Sequence, residues 1–503
     1  MNTLDLTALI ADLPAEDQQV LADHPALRLL LEKLVAMIQA LQEENRQLKE
    51  QIQRLEHRLH LDSHNSSKPP SSDAFPSFRK PFFPPRPRSG KKPGGQEGHP
   101  GHTLERVSVP DRIVEHPVDV CSGCGKDLSE VEATQIEGRQ VFDLPEKRLE
   151  VTEHQVPVKV CPDCQTVNRG AFPEGVDQAV QYGARIRSLA VYLSQYQLIP
   201  FARVTEVLED VIGASFSPGT LLNALSETYG HLGPTEAFIQ EGILGAEVAH
   251  FDETGVKVAG QGQWLHTAST PWWTHYAVHR KRGREGMEAA GVLPRYRGIA
   301  EHDHWEPYLG YTACVHAFCN AHHLRELTGV LEHEGAPWAA HLADLLREIK
   351  VQVDAAKQAG QEALPALQRA FYEQCYHALL REGLQTYAAE EVERAPPKRG
   401  PKKRSKGHNL LLRLERYATE TLRFMEDFRV PFDNNLVERD IRMVKVQQKV
   451  SGGFRSEEGA RYFCRIRGFI STVKKQRKNV LEELTKALQL THPAILLAEP
   501  QAV

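Results

Sequence analysis

Three acidic residues stand in contexts that few folds can bring together. Asp252 lies in Val248-Ala249-His250-Phe251-Asp252-Glu253-Thr254-Gly255-Val256-Lys257-Val258. Asp303 lies in Gly298-Ile299-Ala300-Glu301-His302-Asp303-His304-Trp305. Both are short apolar runs of strand type. The third, Glu438, follows Phe432-Asp433-Asn434-Asn435 at the opening of an amphipathic helix that continues as Arg439-Asp440-Ile441-Arg442-Met443-Val444-Lys445. Helical spacing puts Val437, Ile441 and Val444 on one face and Glu438, Arg442 and Lys445 on a neighbouring one. Each acid also has a plainer reading. Asn435 and Glu438 have the spacing of a capping box, Asp252 and Glu253 could end a strand in water, and Asp303 could pair with a nearby histidine. The order strand-Asp, strand-Asp, helical insertion, basic helix-Glu favours a shared site over three separate explanations.

Strand patterns continue through Gln263-Trp264-Leu265-His266-Thr267-Ala268 and Trp273-Thr274-His275-Tyr276-Ala277-Val278, and a helix is expected near Gly286 to Gly291 before the Asp303 strand. Antiparallel strands followed by a helix and a parallel strand predict an α/β core of the ribonuclease H kind. A long helical stretch from Trp338 to about Glu393, a basic loop at 396–408 and a further helix to Phe428 predict a helical insertion at about 325–430 before Glu438. Two strand carboxylates and one helix carboxylate can share two divalent ions about 4 Å apart, the arrangement of two-metal phosphoryl transfer. Oxygen ligands and phosphate chemistry favour Mg²⁺ or Mn²⁺.

The charge distribution agrees with a nucleic-acid partner, although the net charge of −5 does not. Base is concentrated in stretches. From Arg79 to Lys92 there are six Lys/Arg and no acid, and from Lys398 to Lys406 six in nine residues. From Arg439 to Lys478 twelve Lys/Arg face three acids. Candidate phosphate contacts are Lys91 and Lys92 in an extended arm, Lys402, Lys403 and Arg404 in the basic loop, and Arg439, Arg442, Lys445 and Lys449 on the Glu438 helix. With no apolar run of 18 residues and no basic-then-apolar start, membrane spanning and Sec secretion are not expected. The expected location is the cytoplasm, at the nucleoid.

Leucines at 27, 34, 41, 48 and 55, each followed four residues later by Leu31, Ile38, Asn45, Ile52 and Leu59, form a heptad seam. One polar a position, Asn45, favours a parallel two-stranded coiled coil, with Glu44 facing Lys49 of a second copy. The alternative is an amphipathic helix packed on its own domain. A Pro/Gly-rich basic stretch follows, too poor in apolar residues to bury a core. It serves as a plain linker, as an arm tracking DNA phosphates, or both.

Eight cysteines include Cys121-Ser122-Gly123-Cys124 and Cys161-Pro162-Asp163-Cys164, each following a strand-like run. Paired C-x-x-C with small intervening residues predicts one structural Zn²⁺ held by Cys121, Cys124, Cys161 and Cys164. Strands are expected at Arg112–His116, Arg139–Leu144 and Glu153–Val160, with His116 and His154 as ordinary strand residues. Cys319 and His322, three apart on a helix, share a face and are read either as a metal pair or as packing, like Cys314 and Cys375. Helices are expected at Ala184–Leu193 and Phe201–Ile212 and from Ser217-Pro218, where Ser217 is a good N-cap. With the turn at Gly213 they form either a helix-turn-helix or a plain spacer.

The domain plan is therefore a helix and leucine zipper at 1–62, a linker at 63–110, a zinc-binding domain at 111–175 and a helical, DNA-binding region at 176–245. A catalytic domain at 246–480 and a C-terminal helix and tail at 481–503 complete it. Over almost its full length the chain resembles the insertion-sequence-66 type of bacterial DDE transposase. The matching stretches are the zipper, Asn65 to Asp73, Lys92 to His102, the paired C-x-x-C and Tyr182-Gly183-Ala184-Arg185-Ile186-Arg187. Ser217-Pro218-Gly219-Thr220, Phe251-Asp252-Glu253-Thr254, Cys319-Asn320-Ala321-His322, Asp433 to Arg439 and Gly453-Phe454-Arg455-Ser456 also match. The resemblance implies that Asp252, Asp303 and Glu438 are a catalytic triad on a ribonuclease H-like core. It further implies binding of terminal inverted repeats, hydrolysis of 3′ strand ends and their transfer to target DNA. It suggests two small accessory proteins encoded alongside. Many relatives carry Asp-Gly-Tyr where this chain has Asp303-His304-Trp305, and Glu301 is a rival two residues away on the same strand face. Two other functions fit fewer features. A ribonuclease H-like DNA nuclease would cut without rejoining, and a non-catalytic zinc and coiled-coil regulator would have no use for the triad.

Overall fold

A computed structural model describes residues 14, 33–41, 43–48, 65, 106–143, 149–393 and 404–489. The basic arm with Lys91 and Lys92, the loop residues Lys402 and Lys403, and the zipper positions Leu27, Lys49 and Leu55 lie outside the described residues. The chain divides into two compact units. One comprises 1–75, 175–206 and 216–503, the other 76–174 with 207–215.

Residues 33–41 and 43–48 are helical, and the seam residues Leu34, Ile38, Leu41 and Leu48 are exposed in the single chain. In the smaller unit, β1 (Val158–Val160) and β2 (Val167–Arg169) pair antiparallel around the Cys161–Cys164 turn. The strands expected at 112–116 and 139–144 do not form among the described residues, and only the last three residues of the expected 153–160 strand do. Ile113 and Val141 there are 75% and 89% exposed. Among the described residues no second sheet or helix covers them, and short strands are not stable alone.

After residue 175 the larger unit continues with α1 (Ala184–Val191), which runs on into a wider π turn, and with α2 (Phe201–Val207). Next come α3 (Pro218–His231) and α4 (Gly233–Leu244). Ser217 caps α3 as expected, its side chain accepting from Thr220 N at 3.0 Å. Three antiparallel strands follow, β3 (Val248–Val258), β4 (Gln261–Ser269) and β5 (Thr274–His279). After α5 (Arg284–Ala290) come β6 (Ile299–His302) and β7 (Val315–Phe318). The sheet order is β5-β4-β3-β6-β7, with β6 parallel to β3 and β7 parallel to β6. β2 and β7 have no counterpart in the sequence reading, because three or four residues are too few to show a period.

The insertion consists of α6 (Asn320–Glu334), α7 (Pro337–Gln358), α8 (Ala366–Glu393), α9 (Lys406–Arg416) and α10 (Ala418–Glu426). The helical stretch expected from Trp338 to about Glu393 is made of two helices, α7 and α8. Gly360, at φ +75°, turns the chain, and Pro365 precedes α8. These helices close around Trp338, Leu342, Leu346, Tyr376 and Leu411. The chain then returns to the sheet as α11 (Asn435–Ser451), α12 (Glu457–Lys475) and α13 (Val480–Leu488).

Each face of the sheet has its own core. Ala249 and Phe251 of β3 pack with Ile239, Ile243, Met287 and Leu293, whereas Val256 and Val258 pack with Val444, Phe454 and Phe463. Residues 184–206 and 216–244 cluster with this body. Arg465 of α12 bonds to Glu236 and to Tyr229 O, and Ser188 of α1 meets Thr485 of α13 at 2.6 Å.

Candidate active site

The parallel pairing of β3 with β6 sets His250 opposite Glu301. Two residues further along each chain stand Asp252 and Asp303, so the same register brings the two carboxyls side by side. Asp303 is one residue past the end of β6, not within it, and its Oδ1 accepts from Trp305 N at 3.0 Å. β3 does not end in water at Asp252 but continues to Val258. Alternation turns Asp252 to the face covered by α11 and its neighbour Glu253 to the opposite one. The Glu253 side chain is buried. Arg282 donates to its Oε1 through Nε at 2.8 Å and Nη2 at 2.6 Å, and Tyr308 donates its hydroxyl to Oε2 at 2.5 Å. The Arg282 guanidinium lies 3.9 Å over the Trp305 ring and 4.9 Å from that of Trp264.

Glu438 comes from the first turn of α11. The capping-box reading does not hold, because Asn435 is the first helical residue and Asn434 occupies the cap position without a side-chain capping bond. The Asn434 side chain is turned instead to β3, its Oδ1 2.7 Å from His250 Nδ1 and its Nδ2 donating to Phe251 O at 3.0 Å. Glu438 Oε1 lies 3.4 Å from Arg325 Nη2 and 3.9 Å from His322 Nε2, both on α6. Asp440 pins the helix to the sheet, accepting from Ser269, Thr274 and Lys475 at 2.7, 3.0 and 2.8 Å. Lys445 pins it again, donating to Gly255 O at 2.9 Å.

Electrostatics mark the same spot. Burial, and then the charges of Glu253 and Asp303, push the Asp252 carboxyl well above the usual range, with Glu438 adding to the effect. Burial also raises Asp303. Burial followed by the charge of Asp303 pushes Glu253 up to about 7, against the opposing effects of Tyr308 and Arg282. Mutually repelling carboxyls of this kind fit a divalent cation, whose charge would reverse the balance. Glu301 lies on the same face one layer deeper, wholly buried, its Oε2 3.8 Å from His250 Nδ1. The register puts it beside His250, not beside Asp252.

Of the expected phosphate contacts, Arg439, Arg442 and Lys449 are exposed along α11 and Arg404 is exposed before α9. Lys445 is turned inward, and its charge bears on Asp252. It is a tie between helix and strand, not a surface contact. Glu253, Arg282, Tyr308, Arg325 and Asn434 were not singled out from sequence as site residues. Only Asn434 had a signal, its place in the Asp-Asn-Asn run.

The two C-x-x-C turns share one backbone design. Gly125 N bonds to Cys121 O and Gln165 N to Cys161 O, both at 2.9 Å, and Gly125 and Gln165 both adopt positive φ. Hydrogen bonds, chiefly with Thr166, lower the Cys164 thiol to about 7, and those within the first turn lower Cys121. Each pair brings its own sulfurs together. Among the described residues, however, the one group of three ligand atoms within 4.8 Å of one another is Cys319, His322 and Glu438. No helix among the described residues is long and apolar enough to cross a membrane.

The site lies in a mixed α/β architecture, a carboxylate-lined centre with a basic helix beside it. The family model described as "Transposase IS66 family" matches residues 179–462, more than half of the chain. Residues 119–165 match the zinc-finger binding domain of transposase IS66, and 16–105 match a family of unknown function termed DUF6444. The chain belongs to the IS66 transposase family and is a transposase of an insertion sequence. A search among curated proteins returned no match.

Proposed function

We propose that Asp252, Asp303 and Glu438 are the DDE catalytic triad of this transposase, on a ribonuclease H-like core, acting on terminal inverted repeats by strand cleavage and strand transfer. The observation that carries the reading is the in-register pairing of β3 with β6, which sets Asp252 beside Asp303, together with the charge of Glu438 acting on Asp252. The strand order, three antiparallel strands followed by two parallel ones, supports the core assignment. The triad would hold Mg²⁺ or Mn²⁺, which supplies the Lewis acidity for attack and departure in an in-line phosphoryl transfer.

The chain's own residues set up that centre. Arg325 orients the Glu438 carboxylate, Arg282 and Tyr308 hold Glu253 away from it, and Asn434 fixes the start of α11 against β3. Arg439, Arg442, Lys449 and Arg404 present positive charge to the phosphate backbone, and Lys91, Lys92, Lys402 and Lys403 extend the same proposal outside the described residues. Cys121, Cys124, Cys161 and Cys164 would bind Zn²⁺, which has to draw the two turns together. The exposed seam of Leu34, Ile38, Leu41 and Leu48 supports a parallel homodimer through residues 1–62, pairing two DNA ends. Residues 63–110 serve as the linker, and accessory proteins of the same element are possible partners for assembly.

The test is cleavage of end-bearing DNA in Mg²⁺. Asp252→Asn, Asp303→Asn and Glu438→Gln are each expected to bind ends and to lose strand cleavage by a factor of about 10³ or more, because metal-held carboxylates act as a unit. A folded Glu438→Gln protein that cleaves at near the wild-type rate would return α11 to a structural role. Cleavage by the wild type without joined products would make it a nuclease.

A further inference from the structure

Beside Glu438, and apart from the two aspartates, a different set of donor atoms converges. Cys319 is the residue before α6, and His322 is in its first turn. The Cys319 Sγ, a ring nitrogen of His322 and a carboxylate oxygen of Glu438 all lie within 4.8 Å of one another. A tetrahedral ion with bonds of about 2.0–2.3 Å separates its donors by about 3.3–3.8 Å, so small side-chain adjustments close the set. The Cys319 Sγ accepts from Asn434 N at 3.1 Å, while burial and then the charge of Glu301 push the thiol up, so that it is a cation that would draw off its proton.

A second observation points to a missing partner. The His322 ring is buried, its Nε2 facing Glu438 Oε1 at 3.9 Å and its Nδ1 without a hydrogen-bond partner. Buried polar groups are rarely left so. Thiolate and imidazole donors select Zn²⁺-like ions over Mg²⁺, which prefers oxygen and octahedral geometry. Glu438, the one oxygen donor, belongs to both sets.

We propose that Cys319, His322 and Glu438 form a site for a thiophilic divalent cation of the Zn²⁺ class, and that its occupancy withdraws Glu438 from the catalytic pair. The ligand set stands on geometry alone. The inhibitory consequence rests on Glu438 being a catalytic ligand.

The experiment titrates the purified full-length protein with Zn²⁺ alone and measures bound metal after buffer exchange. The wild type is expected to take up one equivalent more than His322→Gln or Cys319→Ala, with melting curves showing that both variants are folded. With Co²⁺ as the probe, the wild-type minus Cys319→Ala spectrum is expected to contain a thiolate-to-metal charge-transfer band. Equal stoichiometry in wild type and folded variants, with no difference band, overturns the site. In Mg²⁺-supported cleavage, each protein is compared with its own zinc-free rate. Half-inhibition of His322→Gln is expected to need at least tenfold more Zn²⁺ than the wild type, and equal sensitivity overturns the competition for Glu438. Failure of the triad reading is a separate result, cleavage by Glu438→Gln, and leaves the metal count untouched.

Discussion

Asp252 and Glu253 are adjacent and chemically alike, yet alternation along β3 gives them different work. Asp252 faces α11 among other acids, whereas Glu253 is held by Arg282 and Tyr308. Removing Arg282 leaves a buried carboxyl without its cation. Arg282→Ala is expected to lower stability by about 1–3 kcal/mol, below the cost for a fully buried pair because the guanidinium is partly exposed. Chemical denaturation of the full chain would measure it, and an unchanged midpoint would show that Tyr308 alone suffices. The three acids of the proposed triad were visible in the sequence because each stands out against an apolar strand or begins a periodic helix. Arg282 and Tyr308 were not, since they reach Glu253 from outside the strands and no spacing links them to it. The departure at Asp303-His304-Trp305 acquires a physical sense here, as Trp305 supplies the ring beneath Arg282.

Helix α11 matters through how it is fastened. Asn434 ties its start, Asp440 and Lys445 its middle, and the turn after it docks on the end of β3, where Phe454 N bonds to Lys257 O and Ala259 N to Phe454 O, both at 2.8 Å. Gly453 makes that turn at φ +147°, and a Cβ there would stand 2.8 Å from Lys257 O. Gly453→Ala is therefore expected to cost about 1–3 kcal/mol. It should also reduce cleavage more than DNA binding, because it loosens Glu438 relative to Asp252. Comparing melting temperature, end affinity and cleavage rate would show whether the two effects travel together. Amphipathic elements were legible because their period reports a covered face: α11 has Val437, Ile441 and Val444 buried, as the spacing predicts. In the smaller unit the same logic misled. Strand-like runs at 112–116 and 139–144 suggested strands, but among the described residues of so small a unit no second layer covers them.

At the scale of the whole molecule, two properties are open to measurement. Replacing Leu41 and Leu48 with Glu is expected to convert a dimer to a monomer in sedimentation, and an unchanged mass would place the helix against its own chain. Acid should also weaken the fold. Burial holds His266 neutral, with its pKa down at about 4, and lowers His275 as well. The unfolded chain protonates such residues near their ordinary value of about 6.5, so as pH falls below that the unfolded state takes up protons first. Stability is thus expected to decline from about pH 6.5 toward 4, and His266→Gln to flatten the decline in melting temperature. The helical insertion has one more effect, concerning time. It lies entirely between Asp303 and Glu438, and α11 is secured partly by Lys475 of α12. A chain leaving the ribosome exposes both aspartates long before the third acid and its anchor exist. On the proposed triad, nascent or prematurely terminated products therefore lack a complete centre.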